Sequence, residues 1–273
     1  MNARPPIVLC FAASDPTGGA GAQADILTLA ALGCHPLSVL TALTAQDTRG
    51  VHGVQAVESA WVEAQARRLL EDMPVDAFKI GVLGSAANVE AVARAIGNFP
   101  RLPVVLDPVL ASGRGDALAD EATLEALCTR LLPLTTMLTP NSLEARRLCG
   151  DNGAGLEACA ARLVEMGTKY VLITGTHEPG AQVVNTLYGA PGKLREDRWP
   201  RLHGGYHGSG CTLASALAAF LARGLPVPEA AHEAQAFTWK ALQRGFTAGA
   251  GQSLPDRFHA QGKDAARTLR GHA

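Results

Sequence analysis

The chain has 273 residues, 47% of them hydrophobic and 5% aromatic, and a formal net charge of -1. That is ample apolar material for a sizeable core, with neither the basic stripe nor the aromatic content that nucleic-acid binding by charge and base stacking requires. No apolar stretch reaches the roughly 18 residues of a membrane helix. The cysteines at 10, 34, 128, 149, 159 and 211 form no C-x-x-C pair and no zinc-type spacing, which predicts free thiols in a reducing cytoplasm.

In chain order, apolar β-leaning runs fall at 7–12, 37–43, 77–83, 104–106, 137–139, 170–174 and 183–188, alternating with longer helical patterns. The first run, after Arg4, imitates a secretory signal, but it is short and leads directly into Ser14-Asp15-Pro16, so a buried strand is expected. Ser59 is expected to cap a helix through Leu70, Ser85 another through Ile96, and Asp120 or a neighbour one through Leu132. Near the end, a helix from Cys211 to Gly224 pairs with one that Pro228 opens and that runs to about Arg244. Repeated β then α predicts an α/β fold, a mostly parallel sheet covered on both faces. No linker or repeat divides it, so one domain over 1–273 is expected. Within it, 249–273, with Pro255 and a charged helical pattern over 256–270, reads as a packing or surface element without identifiable chemistry.

Three strand runs end in similar punctuation, Ser14-Asp15-Pro16, Asp107-Pro108 and Thr139-Pro140-Asn141, with Gln46 just beyond a fourth. In a parallel sheet such ends form one rim, where ligands bind, so Asp15, Gln46, Asp107 and Asn141 would converge with the Cys211 helix. Any one of these pairs alone is also an ordinary turn former.

The most informative stretch is 204–224, a glycine-rich turn running into an apolar helix. Gly208, Ser209 and Gly210 would let backbone N–H groups converge at the positive end of that helix, an anion site. Cys211, in the first turn, is expected to have its pKa lowered by the helix dipole and so to serve as thiolate or base. The competing reading is a Ser209-capped loop with Cys211 a small buried hydrophobe. Asn141-Ser-Leu-Glu144 would bring an amide and a carboxylate near a phosphate-bound metal, although Glu144 also reads as a first-turn helix acid.

Two nucleotide motifs fail. Gly19-Ala20-Gly21-Ala22-Gln23-Ala24 formally satisfies G-x-G-x-x-G/A, but six residues separate it from Ala12 and no acidic residue ends the next strand, which argues against a dehydrogenase. No lysine stands in a G-x-x-x-x-G-K-[ST] context, so any phosphate site is built without a P-loop.

Six segments appear in one order: Asp15 to Asp25 (DPTGGAGAQAD), Thr41 to Gln46 (TALTAQ), Lys79 to Gly81 (KIG), Leu106 to Val109 (LDPV), Thr139 to Glu144 (TPNSLE) and His207 to Leu213 (HGSGCTL). Together they resemble the ribokinase-like superfamily and, within it, the hydroxymethylpyrimidine/phosphomethylpyrimidine kinase family of thiamine biosynthesis, over about residues 6–245. The cysteine at 211, where most of the superfamily carries aspartate, points to vitamin-precursor kinases.

The resemblance implies a three-layer α/β/α sandwich and ATP-dependent, Mg2+-assisted phosphorylation of hydroxymethylpyrimidine and then of its monophosphate. Gln46 would hydrogen-bond the aminopyrimidine while Ala13, Ala20 and Val109 shape the ring pocket and Asp15 and Gly19 organise its loop. Asp107 and Glu144 would act through magnesium, Asn141 would approach the phosphates, Gly208 to Gly210 would form the anion hole, and Cys211 would take the hydroxyl proton. Lys240 looks like a lysine beside the nucleotide, or a solvated helix lysine. The small-molecule pyrimidine would be its partner, in a homodimer. Three departures stand out. Thr174-Gly-Thr-His177 lacks the lysine of a Lys-Gly-Gly-His stretch, Leu110 to Asp116 replaces the usual flap and offers Arg114 as a substitute cation or a loop ornament, and Val82 stands for methionine. A pyridoxine/pyridoxal kinase is the nearest alternative, and a catalytically silent pyrimidine-binding regulator a more distant one.

Overall fold

Residues Ile7–Ser14 (β1) are apolar without interruption and buried along nearly their whole length, as befits a strand in the middle of a sheet covered on both faces. In the computed structural model, which describes residues 4–111, 115 and 118–260, β1 pairs in parallel with His35–Asp47 (β2) on one side and Ala77–Ile80 (β4) on the other. Val104–Leu106 (β5), Met137–Leu138 (β6) and Tyr170–Thr174 (β7) extend the parallel core. Antiparallel strands close both sides: Gly50–Ala56 (β3) hairpins onto β2, and Gln182–Gly189 (β8) and Gly192–Pro200 (β9) follow β7. The nine-stranded order is β3-β2-β1-β4-β5-β6-β7-β8-β9.

Side chains alternate across this sheet with the period of two that strands impose. Leu9, Phe11, Phe78, Ile80, Leu106 and Leu138 pack with Ser59–Asp72 (α2), Ala86–Gly97 (α3), Ser142–Cys149 (α5) and Leu156–Glu165 (α6). Val8, Cys10, Ala77, Val105, Met137 and Leu172 point the other way, onto Gly21–Ala31 (α1), Ser209–Ala222 (α7) and Val227–Gln243 (α8). Apolar on nearly every side, α7 lies wedged between the sheet and its neighbours α1 and α8.

The caps agree with the sequence at two helices and differ at two. Ser85 accepts from Asn88 N at 3.3 Å, and Asp120 accepts from Thr123 N at 2.8 Å to open Glu121–Ala126 (α4), which continues through a wide turn at 127–131 and a tight one at 132–134. Ser59, expected as a cap, is instead the first residue of α2, where Glu58 holds the capping position without a side-chain bond. Helix α7 starts at Ser209, two residues earlier than expected, and its cap is Gly208 at φ 78, with no bond from Ser209. A flexible glycine backbone, rather than a hydroxyl, terminates it there.

Candidate active site

The carboxyl ends of β1, β2, β5, β6 and β7 open with the start of α7 onto one cavity of about 1240 Å³. Ala13, Ala20, Gln46, Asp107, Val109, Asn141, Glu144 and the run Gly208 to Cys211 all line it, although 198 positions separate the first from the last.

The loop after β1 is built around Asp15, which is 1% exposed. Its carboxylate accepts from Thr17 N at 2.8 Å, Thr17 Oγ1 at 2.9 Å and Ala20 N at 2.7 Å, and meets His207 Nε2 at 2.8 Å. Burial opposes the charge, but these bonds outweigh it and hold the carboxyl below its ordinary pKa. Asp15 and Gly19 thus stand behind the wall that Ala13 and Ala20 present. A Cβ at Gly208 would collide with the carbonyl oxygen of Gly19, so the two glycine turns meet backbone to backbone.

On the neighbouring strand Gln46 Nε2 donates to Thr44 Oγ1 at 2.7 Å, and Thr44 donates to Ser14 O at 2.8 Å. The chain of bonds orients the amide, leaving its carbonyl oxygen for an incoming donor.

Opposite lie the acidic groups. Asp107, 4% exposed, sits under the first turn of α7, where a Cβ on Gly210 would lie 3.5 Å from Oδ2. That Oδ2 is buried without a hydrogen-bond partner. Burial pushes Asp107 up to about 6, Lys79 opposes the rise and Asp25 adds to it. Glu144 rises to about 8 through burial and the nearby Asp107, against backbone bonds from Asn141 N and Leu110 N. Glu144 also completes a capping box with Asn141, so its helix role and its place in the cavity coexist. A buried carboxyl with an orphaned oxygen, beside a second carboxyl that it raises, fits a divalent cation that retains several waters. Among the described residues no cluster of three or more His, Cys, Asp or Glu side chains forms a fuller cage.

Cys211 departs from expectation. Burial lifts its thiol to about 12, Lys79 counteracts and Asp107 and Asp25 reinforce, so the dipole at the start of α7 does not prevail. The resting group is a thiol. Lys79, quoted from sequence as part of a motif but given no role, proves central. It is fully buried, its Nζ lies 2.8 Å from Asp25 Oδ1, and Ser215 Oγ donates to the same oxygen at 2.7 Å. Burial disfavours its charge, but Asp25, Cys211 and Asp107 together hold it above the ordinary lysine pKa. The signal was available: a lysine inside the otherwise apolar strand Ala-Phe-Lys-Ile.

Two expected cations are not brought in. Lys240 is exposed on α8 and outside the cavity lining, while Trp239 and Thr238 beside it face inward. Arg114 lies outside the described residues. At the departure around Thr174, the lining includes Thr174, Thr176, His177 and an arginine not singled out from sequence, Arg201. Its guanidinium donates to the carbonyls of Thr176, Glu178 and Gly180 at 2.7 to 2.8 Å, bracing that loop.

A family model described as phosphomethylpyrimidine kinase matches residues 15–256. A hydroxymethylpyrimidine/phosphomethylpyrimidine kinase of Streptomyces coelicolor is 42% identical over 266 residues, 95% of this chain and 97% of its own length. Among solved structures, the phosphomethylpyrimidine kinase of Clostridium difficile 630 matches with a TM-score of 0.75 at 31% identity, over 85% of this chain and 97% of that one. A Staphylococcus aureus pyridoxal kinase, solved with AMP-PCP and pyridoxal, matches with a TM-score of 0.83 at 27% identity, over 95% and 96%.

Proposed function

The chain belongs to the phosphomethylpyrimidine kinase family, and from that premise we propose that it transfers the γ-phosphoryl group of ATP to the hydroxymethyl group of hydroxymethylpyrimidine, and then phosphorylates the monophosphate to the diphosphate. The observation that carries this reading is the convergence, in one cavity, of a ring-sized apolar corner with an oriented amide (Ala13, Ala20, Gln46, Val109) and a glycine turn leading into Cys211 over Asp107. One domain would hold both substrates.

Phosphoryl transfer needs alignment and charge stabilisation more than covalent help from the protein. Gln46 would hold the ring so that its hydroxymethyl faces Cys211, and the N–H groups of the Gly208 to Gly210 turn would stabilise charge on the transferring group. As the substrate oxygen bonds to the γ-phosphorus and the bridging P–O bond of ATP breaks, the hydroxyl proton passes to Cys211 Sγ. The thiol would pass its own proton to an oxygen of the transferred phosphoryl group, so no standing thiolate is required and Asp107 stays with the metal. Asp107 and Glu144 would hold Mg2+, which would neutralise phosphate charge, and Asn141 would face the phosphates. Lys79 keeps a positive charge behind these groups.

The test is coupled turnover on purified protein, offering hydroxymethylpyrimidine, its monophosphate and pyridoxal separately. Pyrimidine-dependent turnover that Cys211→Ala reduces by about 10²- to 10⁴-fold, the usual worth of a general base, is expected. Tight pyrimidine binding without turnover would instead mark a silent regulator. The likeness to solved pyridoxal kinases favours a second reading, pyridoxal phosphorylation, which the same assay separates by the ratio of kcat/KM values. A homodimer is proposed on the exposed apolar side chains of the β2–β3 hairpin, Leu43 and Val54, and light scattering decides it. A cytoplasmic location is proposed on the six free thiols, and no described helix is long and apolar enough to cross a membrane.

A further inference from the structure

Residues 249–260, which carry no sequence signature, fold back onto the active site. Gln252 N donates to Thr48 O at 2.8 Å, His207 N donates to Ser253 O at 2.9 Å, and Asp256 N donates to Ala241 O at 2.9 Å. These bonds deliver Arg257 into the interior, 4% exposed and one residue past the matched family region.

Its guanidinium spans both glycine turns. Nε donates to Thr212 Oγ1 at 3.1 Å, Nη1 donates to Gly18 O at 3.3 Å, and Nη2 donates to Gly19 O. Thr212 Oγ1 in turn donates to Gly208 O at 2.8 Å. One side therefore ends on the loop that Asp15 organises, the other on the first turn of α7 that carries Cys211. Burying a guanidinium against neutral oxygens is expensive, and a planar fork able to reach three acceptors is what arginine provides and lysine does not. An arginine that served only to fill space here would be replaceable by an apolar side chain at lower cost.

We propose that Arg257 is a positioning residue that fixes the ring-binding loop at 15–20 relative to the anion-binding turn at 207–212. The kinetic part of its test rests on the kinase reading above, and the exchange part does not. Arg257→Lys keeps the charge and most of the volume but loses the fork. In hydrogen exchange on the full chain, this variant is expected to exchange faster in segments 15–21 and 207–213 than the wild type, with β4 to β7 unchanged. Unchanged exchange in both segments overturns the proposal, whether or not the protein turns over any pyrimidine. In turnover, Arg257→Lys and Arg257→Ala are expected to lower kcat roughly 10- to 100-fold, the scale of a small misalignment of reacting groups, while the KM for ATP moves far less. Millimolar guanidinium, but not methylammonium, is expected to restore turnover to Arg257→Ala. Wild-type kcat in Arg257→Lys overturns the proposal. Should Arg257→Ala fail to fold, Arg257→Lys alone decides. A wild type that phosphorylates nothing overturns the kinase reading and leaves the exchange result to judge Arg257.

Discussion

Asp15 and Asp107 look alike in the sequence: each precedes a proline, each follows a buried parallel strand, and each is almost fully buried at the same rim. Their surroundings are opposite. Asp15 is surrounded by donors from its own loop and from His207, and its pKa is lowered. Asp107 has an oxygen with no donor and is raised to about 6, beside a glutamate raised to about 8. The first carboxylate is building material, complete without a ligand. The second is incomplete until something positive arrives, the condition of a binding group.

The largest expected effect tests a third buried carboxylate, Asp25, neutralised by a lysine rather than by loop donors. Lys79→Met leaves it unpaired and should cost about 3–5 kcal/mol, read by urea unfolding. A loss near zero would mean that the buried ion pair contributes no net stability, and the contrast among the carboxylates would weaken. Next, Asp107→Asn should lower turnover by about 10²- to 10³-fold with stability unchanged or raised, because a repelled buried charge is removed along with a proposed ligand of the Mg2+ that neutralises the phosphates. Asp15→Asn should do the reverse, costing about 1–3 kcal/mol of stability through unsatisfied donors. Equal stability losses in the two variants would erase the distinction.

The smallest expected effect concerns pH. Asp107 and Glu144 keep protons in the folded protein where the unfolded chain has lost them. Their contribution to stability is therefore whole below about pH 4 and is lost as pH rises through about 6 and then about 8. Asp15 has the opposite sign, stabilising above the ordinary carboxylate range and failing as acid is added. Without metal, Tm should fall by a few degrees between pH 5 and pH 8, Glu144→Gln should flatten that fall, and Mg2+ should raise Tm more at pH 8 than at pH 5. A Mg2+ shift independent of pH would remove these carboxyls from metal binding.

The parallel strands were legible because continuous apolar runs have few other uses, and Ser85 and Asp120 because a cap is a local bond. Strands β3 and β9 were not, since an edge strand exposes its side chains and GVHGVQA and GKLREDRWP carry no burial pattern. Helix α1 hid behind the glycines that open it. In the candidate site, residues at strand ends could be gathered from the sequence and do line one cavity, whereas Lys79, Arg201 and Arg257 were not singled out. Each of the three acts through groups far away in sequence, and only Lys79 carries a local mark, a charge inside an apolar strand that does not name its partner. Cys211 was found but its acidity misjudged, because a dipole is a local property and burial a global one.

The contact of His207 with Asp15 joins positions 192 residues apart, and that of Gly251 with Thr48 positions 203 apart. During synthesis the whole sheet through β9 emerges before any of these closures can form. A nascent chain can hence pair its strands and still lack the glycine turn and Cys211, so catalysis begins only when these later-made segments dock. Loss of activity on heating or in denaturant should, for the same reason, coincide with or precede loss of the sheet and never trail it.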